Sequence, residues 1–428
     1  MDGAFRSGVA LVVEGDVISA VVRVDDLDGS TPVESWSGLV VIPGTVNAHG
    51  HAFQNLLKGF ADDRTFEDWR DAVLYPFSEQ LMTDDIYTGA LFAFAEAALA
   101  GVTTTVDFFY LHDGGNDNAE AVIRAAREVG IRLVLARSFY DEDAPTSAPA
   151  RYRETTGDSV RRTRELSAAH AGDPLVSIQP APHSLHAARP ETIGAALELA
   201  ADLDVPCHLH LAEAAYERDM IEERFGLTPV RLLADRGLLN EKLLAIHAVW
   251  VDDEEIELLA EAGVGVVHCP GANAFLGDGI APVERMIERG VRVALGPDGG
   301  CANNRQSVFD EMRTASLLAK ATATDGSVLP APVAFDLGTR AGGDLLGLPT
   351  GEIRAGMKAD LVALDPSDLS LQPPGNLERH LVHSMQPTAI AKVVVGGRTI
   401  VERGALMGVD LADLGARIGR TTSRWIRP

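Results

Sequence analysis

The chain has 428 residues, 62 of them acidic and 37 basic, for a formal net charge of −25. Such a surface repels a phosphate backbone, which excludes a nucleic-acid duplex as an expected partner. Hydrophobic residues make up 46% and charged residues 23%, a globular composition that excludes disorder, collagen and low complexity.

The N-terminal stretch MDGAFRSGVALVVEGD alternates and lacks the apolar run of a signal peptide. No apolar run reaches the ~18 residues that would span a membrane. The three cysteines, Cys207, Cys269 and Cys301, are far apart and form no C-x-x-C pair, which fits a reducing compartment. The expectation is a soluble cytoplasmic protein with no membrane partner.

In chain order, 8–13 (GVALVV) and 17–24 (VISAVVRV) predict two short strands around Glu14-Gly15-Asp16. The middle then repeats one unit, a short apolar strand followed by an amphipathic helix. The strand runs are GTVNAH (44–49), TTTVDFF (103–109), RLVLARS (132–138), LVSIQPA (175–181), VPCHLHL (205–211), LLAIHAV (243–249), VGVVHCP (264–270) and VRVALGPD (291–298). Helical patterns such as 84–101 and 118–130 separate them. Eight such units predict a closed α/β barrel, the (β/α)8 TIM barrel. A dinucleotide-binding sheet would want G-x-G-x-x-G after its first strand, and none is there. The C-terminal runs ADLVALD (359–365) and AKVVVGG (391–397) are β-rich again, and a helical pattern follows 407. The expected organisation is a β-sandwich made from 1–43 and 349–428, the latter with a C-terminal helix, around a barrel at 44–348.

Metal-competent residues sit at the ends of the predicted strands: His49 and His51 on strand one, His208 and His210 then Glu213 on strand five, His247 on six, His268 on seven and Asp298 on eight. Barrel strands normally fill with Val, Ile and Leu, and their C-terminal ends converge on one mouth. In H-x-H on a strand, residues i and i+2 face the same side, so two imidazoles can reach one cation. A third His and an Asp would complete a site for a borderline metal such as Zn²⁺, with Fe²⁺ the alternative.

PGTVNAHGH (43–51), HLAE (210–213), IH (246–247), HCP (268–270), LGPDGGCANN (295–304) and GEIRAGMKADLVALD (351–365) together resemble the amidohydrolase superfamily over nearly the whole chain. LLKGFADD (56–63), LGDGIAPVERMIERGV (276–291) and NNRQSVFDEMRTASLLAK (303–320) are most similar to its S-adenosylhomocysteine/5′-methylthioadenosine deaminases. The resemblance implies His49, His51, His210 and Asp298 as metal ligands and Glu213, His247 and Asp298 as the catalytic groups. It implies His183 as a substrate contact and Arg137 as a receiver of a substrate carboxylate. Trp69, His268 and Asn303 are further candidates for lining the substrate, and His208 is expected to be structural. Members with two metals typically bridge them with a strand-four lysine. The five lysines, Lys58, Lys242, Lys320, Lys358 and Lys392, all lie elsewhere, which implies one metal per chain. The family allows a homo-oligomer.

Some residues depart from the deaminase pattern. Pro297 stands where Thr is usual, and CPGANAFLG (269–277) lacks the usual Ser and Lys. HGHAFQ (49–54), FFYLHDGG (108–115) and APHSLHA (181–187) are similar to formimidoylglutamate deiminases. The expected reaction is hydrolytic release of ammonia from an sp² carbon of a small molecule, an adenosine-type substrate first. A formimino-amino acid, a triazine, guanine or a pterin is the alternative. A non-catalytic scaffold of the same fold would be expected to have lost ligands.

Overall fold

A computed structural model describes residues 5–29, 32–144 and 147–425. Eight parallel strands carry the middle of the chain: Thr45–Asn47, Val102–Phe109, Arg132–Asp141, Val176–Pro182, Cys207–Leu211, Leu243–His247, Gly265–His268 and Arg292–Leu295. They are numbered one to eight below. Strands one to four form one parallel ladder and strands five to eight another.

The two ladders touch at both edges. A parallel bridge pairs Ser184 with His210, beyond strand four and on strand five. At the other edge Ala48 N donates to Leu295 O (3.0 Å) and Asp298 N donates to His49 O (3.1 Å). That approach is tight. A Cβ on Gly296 would lie 2.8 Å from both the N and the O of His49, so only glycine fits between strands eight and one.

Strands two and three are buried at every position, as expected of parallel strands covered on both faces. Helices supply the outer cover. Thr83–Leu99 and Asp117–Val129 lie where the periodicity put them, and the second ends on Gly130 in the left-handed conformation (φ 83°). The expected mixed α/β class is therefore met.

The chain ends meet. Val40–Pro43 forms the edge of a five-stranded antiparallel sheet whose other members are Leu361–Leu364, Ile390–Val395, Arg398–Glu402 and Ala405–Leu406. The hairpin Val9–Glu14/Val17–Arg23 joins it through a bridge from Val17 to Lys358. Asp360 ties this sheet to strand three: Arg132 donates Nε and Nη2 to its two carboxylate oxygens at 2.9 and 3.0 Å. The helix Leu411–Thr422 packs on Thr83–Leu99, where Arg424 pairs with Asp85 at 2.6 Å. Among the described residues no helix is long and apolar enough to cross a membrane.

Candidate active site

Beyond the end of strand one the chain bends at His49 and is extended again at His51 (φ −131°, ψ 92°), and the two rings lie 4.8 Å apart. His51 Nδ1 donates to Phe108 O at 2.7 Å, and His210 Nδ1 donates to His183 O at 2.8 Å. Those bonds fix the tautomer and leave both Nε2 lone pairs pointing inward. The two Nε2 atoms are 3.3 Å apart. Asp298 Oδ1 lies 3.4 Å from Nε2 of both His49 and His51.

This arrangement fits a transition metal. Ligand bonds of about 2.0–2.1 Å at a tetrahedral angle separate neighbouring ligand atoms by roughly 3.3 Å. Nδ1 of His49 is buried without a hydrogen-bond partner and its Nε2 meets only Asp298 Oδ1, at 3.4 Å, an under-satisfied nitrogen that a metal relieves. Burial, only partly opposed by Asp298, pushes His49 down to about 4, which keeps it neutral and able to ligate. At Asp298 burial works to raise the pKa. The hydrogen bond and charge of His49, with His51 and His247, outweigh it and hold the carboxyl well below the usual range.

The backbone is bent to make this convergence. Ala212 (φ 53°), His247 (φ 74°), Ala248 (φ 47°) and Asp298 (φ 65°) all adopt the left-handed conformation without being glycine. Such residues cluster where a site over-determines the chain. His247 Nδ1 donates to Asn273 Oδ1 at 2.9 Å, and its Nε2 lies 3.3 Å from Glu213 Oε1 and 4.0 Å from Asp298 Oδ2. Glu213 is raised well above the carboxylate range, by burial first and then by Asp278, Asp298 and Glu217.

The other candidates divide. His183 stacks on His210 (4.7 Å between rings) and meets Tyr140 at 4.5 Å. His268 is buried beside His247 and pushed down to about 3, by burial and then by that neighbour. His208 bonds Gln179 Oε1 at 2.7 Å. Arg137 is a correction to the sequence reading. It is fully buried in a fork with Glu154 (2.8 and 3.0 Å), and it also donates to Asn116 Oδ1 and Gly115 O. Its donors are used within the chain, so it does not receive a substrate carboxylate. Trp69 and Asn303 act as ties between loops. Trp69 Nε1 donates to Cys301 O (3.0 Å), while Asn303 Nδ2 donates to Pro297 O (2.7 Å) and Glu311 Oε1 (2.8 Å).

Four residues were not anticipated. Asn273 orients His247. Glu217 Oε2 accepts from Glu213 N at 3.1 Å. Asp107 Oδ1 accepts from Ala52 N at 2.8 Å, next to His51. Asp278 is 4% exposed, and its Oδ2 has no partner. Only Asp107 left a signal in the sequence, an acid inside an apolar strand run.

A family model described as the amidohydrolase family matches residues 40–400. A 5-methylthioadenosine/S-adenosylhomocysteine deaminase from Moorella thermoacetica is 35% identical over 382 residues, 89% of this chain and 86% of the relative. An adenosine deaminase structure from Xanthomonas campestris with bound zinc superposes with a TM-score of 0.91 at 29% identity, covering 99% of this chain and 94% of the other. An atrazine chlorohydrolase from Arthrobacter aurescens, complexed with zinc, matches at a TM-score of 0.88 and 24% identity over 96% of this chain and 95% of its own; that likeness speaks for the fold alone.

Proposed function

The chain belongs to the amidohydrolase family, and from that premise we propose that it is a metal-dependent aminohydrolase that releases ammonia from the ring of an adenosine-type substrate. S-adenosylhomocysteine and 5′-methylthioadenosine are the first candidates, after the activity named for the Moorella relative. The observation that carries the reading is the convergence of His49, His51, His210 and Asp298 beside the Glu213–His247 pair at 3.3 Å. The parallel strands read as a closed (β/α)8 barrel spanning 44–348, with a β-sandwich formed by 1–43 and 349–428. Cytoplasmic residence is supported by three free, buried cysteines. Assembly into a homo-oligomer belongs to the same reading, and light scattering tests it.

His49, His51, His210 and Asp298 would hold one metal ion, zinc in the Xanthomonas relative. Bound there, it supplies the Lewis acidity that makes water nucleophilic near neutral pH. The chain's own residues do the rest. Asp298 is ionised, and its second oxygen Oδ2 faces His247, placed to take the water's proton. Burial pushes Glu213 well above the usual carboxylate range, which favours the protonated form that gives a proton to the ring nitrogen next to the attacked carbon. His247 donates its Nδ1–H in a hydrogen bond to Asn273 Oδ1. Its Nε2 is therefore an acceptor, which orients the water. Asp298 then passes its proton to the departing amine while Glu213 recovers one from the hydroxyl on the attacked carbon, so the amine leaves as ammonia and the ring nitrogen keeps the proton it was given.

The test follows the adenine-to-hypoxanthine absorbance change with each adenosine derivative, alongside ammonia release from guanine, pterins, triazines and formimidoylglutamate. Turnover of an adenosine derivative is expected. Ammonia from formimidoylglutamate or a triazine alone would replace the substrate and leave the acid–base assignment standing.

A further inference from the structure

Ser184 follows His183 just beyond strand four and is fully buried. Its Oγ lies 3.0 Å from His183 Nδ1 and 2.9 Å from His186 Nδ1. The Tyr216 hydroxyl approaches the same His186 nitrogen at 3.5 Å. Tyr216 is itself held in place, with the Phe66 ring at 5.3 Å and the Arg70 guanidinium 5.5 Å from its ring centroid. Tyr216, His186, Ser184 and His183 thus form one line, and the His183 ring at its end stacks on His210. His183 is half-buried, and its Nε2 has no hydrogen-bond partner among the described residues.

The two hydroxyls decide which nitrogens carry hydrogen. Burial and then Arg70 push His186 down to about 3, which favours a neutral ring with hydrogen on one nitrogen only. A serine hydroxyl has one hydrogen and two lone pairs. If Ser184 gives its hydrogen to His183, His186 must donate to Ser184, and the Tyr216 hydroxyl then meets an N–H and has no acceptor. If both rings donate to Ser184, its own hydrogen has no acceptor. If Ser184 gives its hydrogen to His186, the bare Nδ1 faces both hydroxyls, and His183 donates Nδ1–H to Ser184. Only this last arrangement gives every hydrogen between these side chains an acceptor, as buried polar groups require.

We propose that His186 is a positioning residue: it draws the Ser184 hydrogen to its own Nδ1, so that His183 spends its hydrogen on Ser184 and offers a bare Nε2 to an N–H or O–H donor of the substrate. The inference rests on the reading of His183 as a substrate contact. The amino group and ribose hydroxyls of an adenosine-type substrate are donors of that kind. Without His186, the Ser184 hydrogen has only His183 Nδ1 to go to. His183 then carries its hydrogen on Nε2 and meets the same substrate donor with an N–H.

The experiment reads the tautomers by nitrogen NMR of the zinc-loaded protein with isotopically labelled histidine, beside kcat/KM, zinc content and melting temperature. The variants are His186→Leu and His186→Asn, whose amide oxygen can stand in for Nδ1; His183→Asn assigns the His183 signals. Wild type should show His183 protonated at Nδ1 and His186 at Nε2. His186→Leu should move the His183 hydrogen to Nε2 and lower kcat/KM by about 5- to 150-fold, the factor that a mispaired buried donor costs, at unchanged zinc content. His186→Asn should restore the wild-type tautomer and most of kcat/KM, although the smaller side chain does not restore the packing. His183 protonated at Nε2 in wild type overturns the proposal, and that measurement needs no variant to fold. A His183 tautomer that His186→Leu leaves unchanged overturns it too. So does a tautomer that switches while kcat/KM stays within about 2-fold of wild type. The spectra involve no substrate, and the rates are taken on whichever compound of the ammonia-release panel is turned over. Failure of the adenosine reading therefore leaves this result to be judged by itself.

Discussion

Glu213 and Asp298 sit within reach of the same histidine, yet their environments drive them apart. The imidazoles around Asp298 hold it below the usual carboxylate range against its burial, whereas burial and then the neighbouring carboxyls push Glu213 above that range. Two carboxyl groups with opposed protonation are what a reaction needs when one proton must be taken and another given. Glu213→Gln is expected to keep the metal and lose turnover by about 10²–10⁴-fold, the usual worth of general acid–base catalysis. Asp298→Asn should lose both, because in the proposed mechanism the same side chain ligates and accepts the proton. Elemental analysis beside single-turnover kinetics separates the two outcomes; near-normal kcat in Glu213→Gln would remove it from the mechanism. Arg137 makes the contrasting case. Burial alone would raise Glu154, but the hydrogen bond from Arg137 leads the effects that hold it down to about 2. A carboxyl depressed in the folded state contributes stability fully above its unfolded value of about 4.3, and that contribution is lost as the pH falls towards 2. Arg137→Ala should therefore cost about 1–3 kcal/mol at pH 7, the worth of hydrogen bonds to a charged group, because Arg162 and Ser159 still pair with Glu154. Its deficit against wild type should shrink between about pH 4.5 and pH 2 in urea unfolding, with no change in preference for acidic substrates.

Strand ends made the site legible. His49, His51, His210, His247 and Asp298 interrupt apolar runs where Val, Ile or Leu would be the ordinary filling, and that placement follows from the two-residue period alone. Arg137 shows where the period stops helping. Tyr140, three residues along the same strand, meets His183, so Arg137 falls on the opposite face, towards Asn116 and Arg162. Nothing within the strand's own sequence says which parity faces the mouth. Asn273, Glu217 and Asp278 were illegible for another reason, since each acts on a group from a different element or turn and has no pattern of its own. The approach of strand eight to strand one was equally hidden until both backbones were placed. It gives an element-scale prediction. Gly296→Ala would push a Cβ to within 2.9 Å of His49 N, O and Cβ, and the backbone atoms cannot move aside as a flexible side chain would. Overpacking of this kind costs about 1–3 kcal/mol, and the displaced residue is one of the proposed metal ligands. Zinc content and melting temperature should fall together; a variant with full metal and unchanged melting would mean the two strands yield more freely than their packing implies.

Across the molecule, the parallel strands and the terminal sheet are joined at a buried charge. Asp360 belongs to the run KADLVALD, which as sequence reads only as the start of a strand. In the fold it accepts from both donors of Arg132, from Thr350 Oγ1 at 2.8 Å and from Gly396 N at 2.8 Å. Those four donors come from strand three, from the segment before the terminal sheet and from the turn after Ile390–Val395. One carboxylate thus fastens the C-terminal part of the terminal sheet to the body that carries the proposed site. Arg132 and Asp360 are 4% and 0% exposed at the side chain, so the pair is shielded from salt and breaking one partner is expensive. Asp360→Ala should destabilise by about 3–5 kcal/mol and should make the terminal segments the first to be cut in limited proteolysis. The proposed metal ligands all lie on the parallel strands or just beyond them, away from this joint. Metal stoichiometry and KM of the folded fraction should therefore be unchanged below the melting transition. Proteolysis mapped by mass spectrometry, run beside metal analysis on the same sample, checks both halves. Loss of zinc before any cleavage would show that the terminal sheet supports the site directly, contrary to the expectation that it braces the outside.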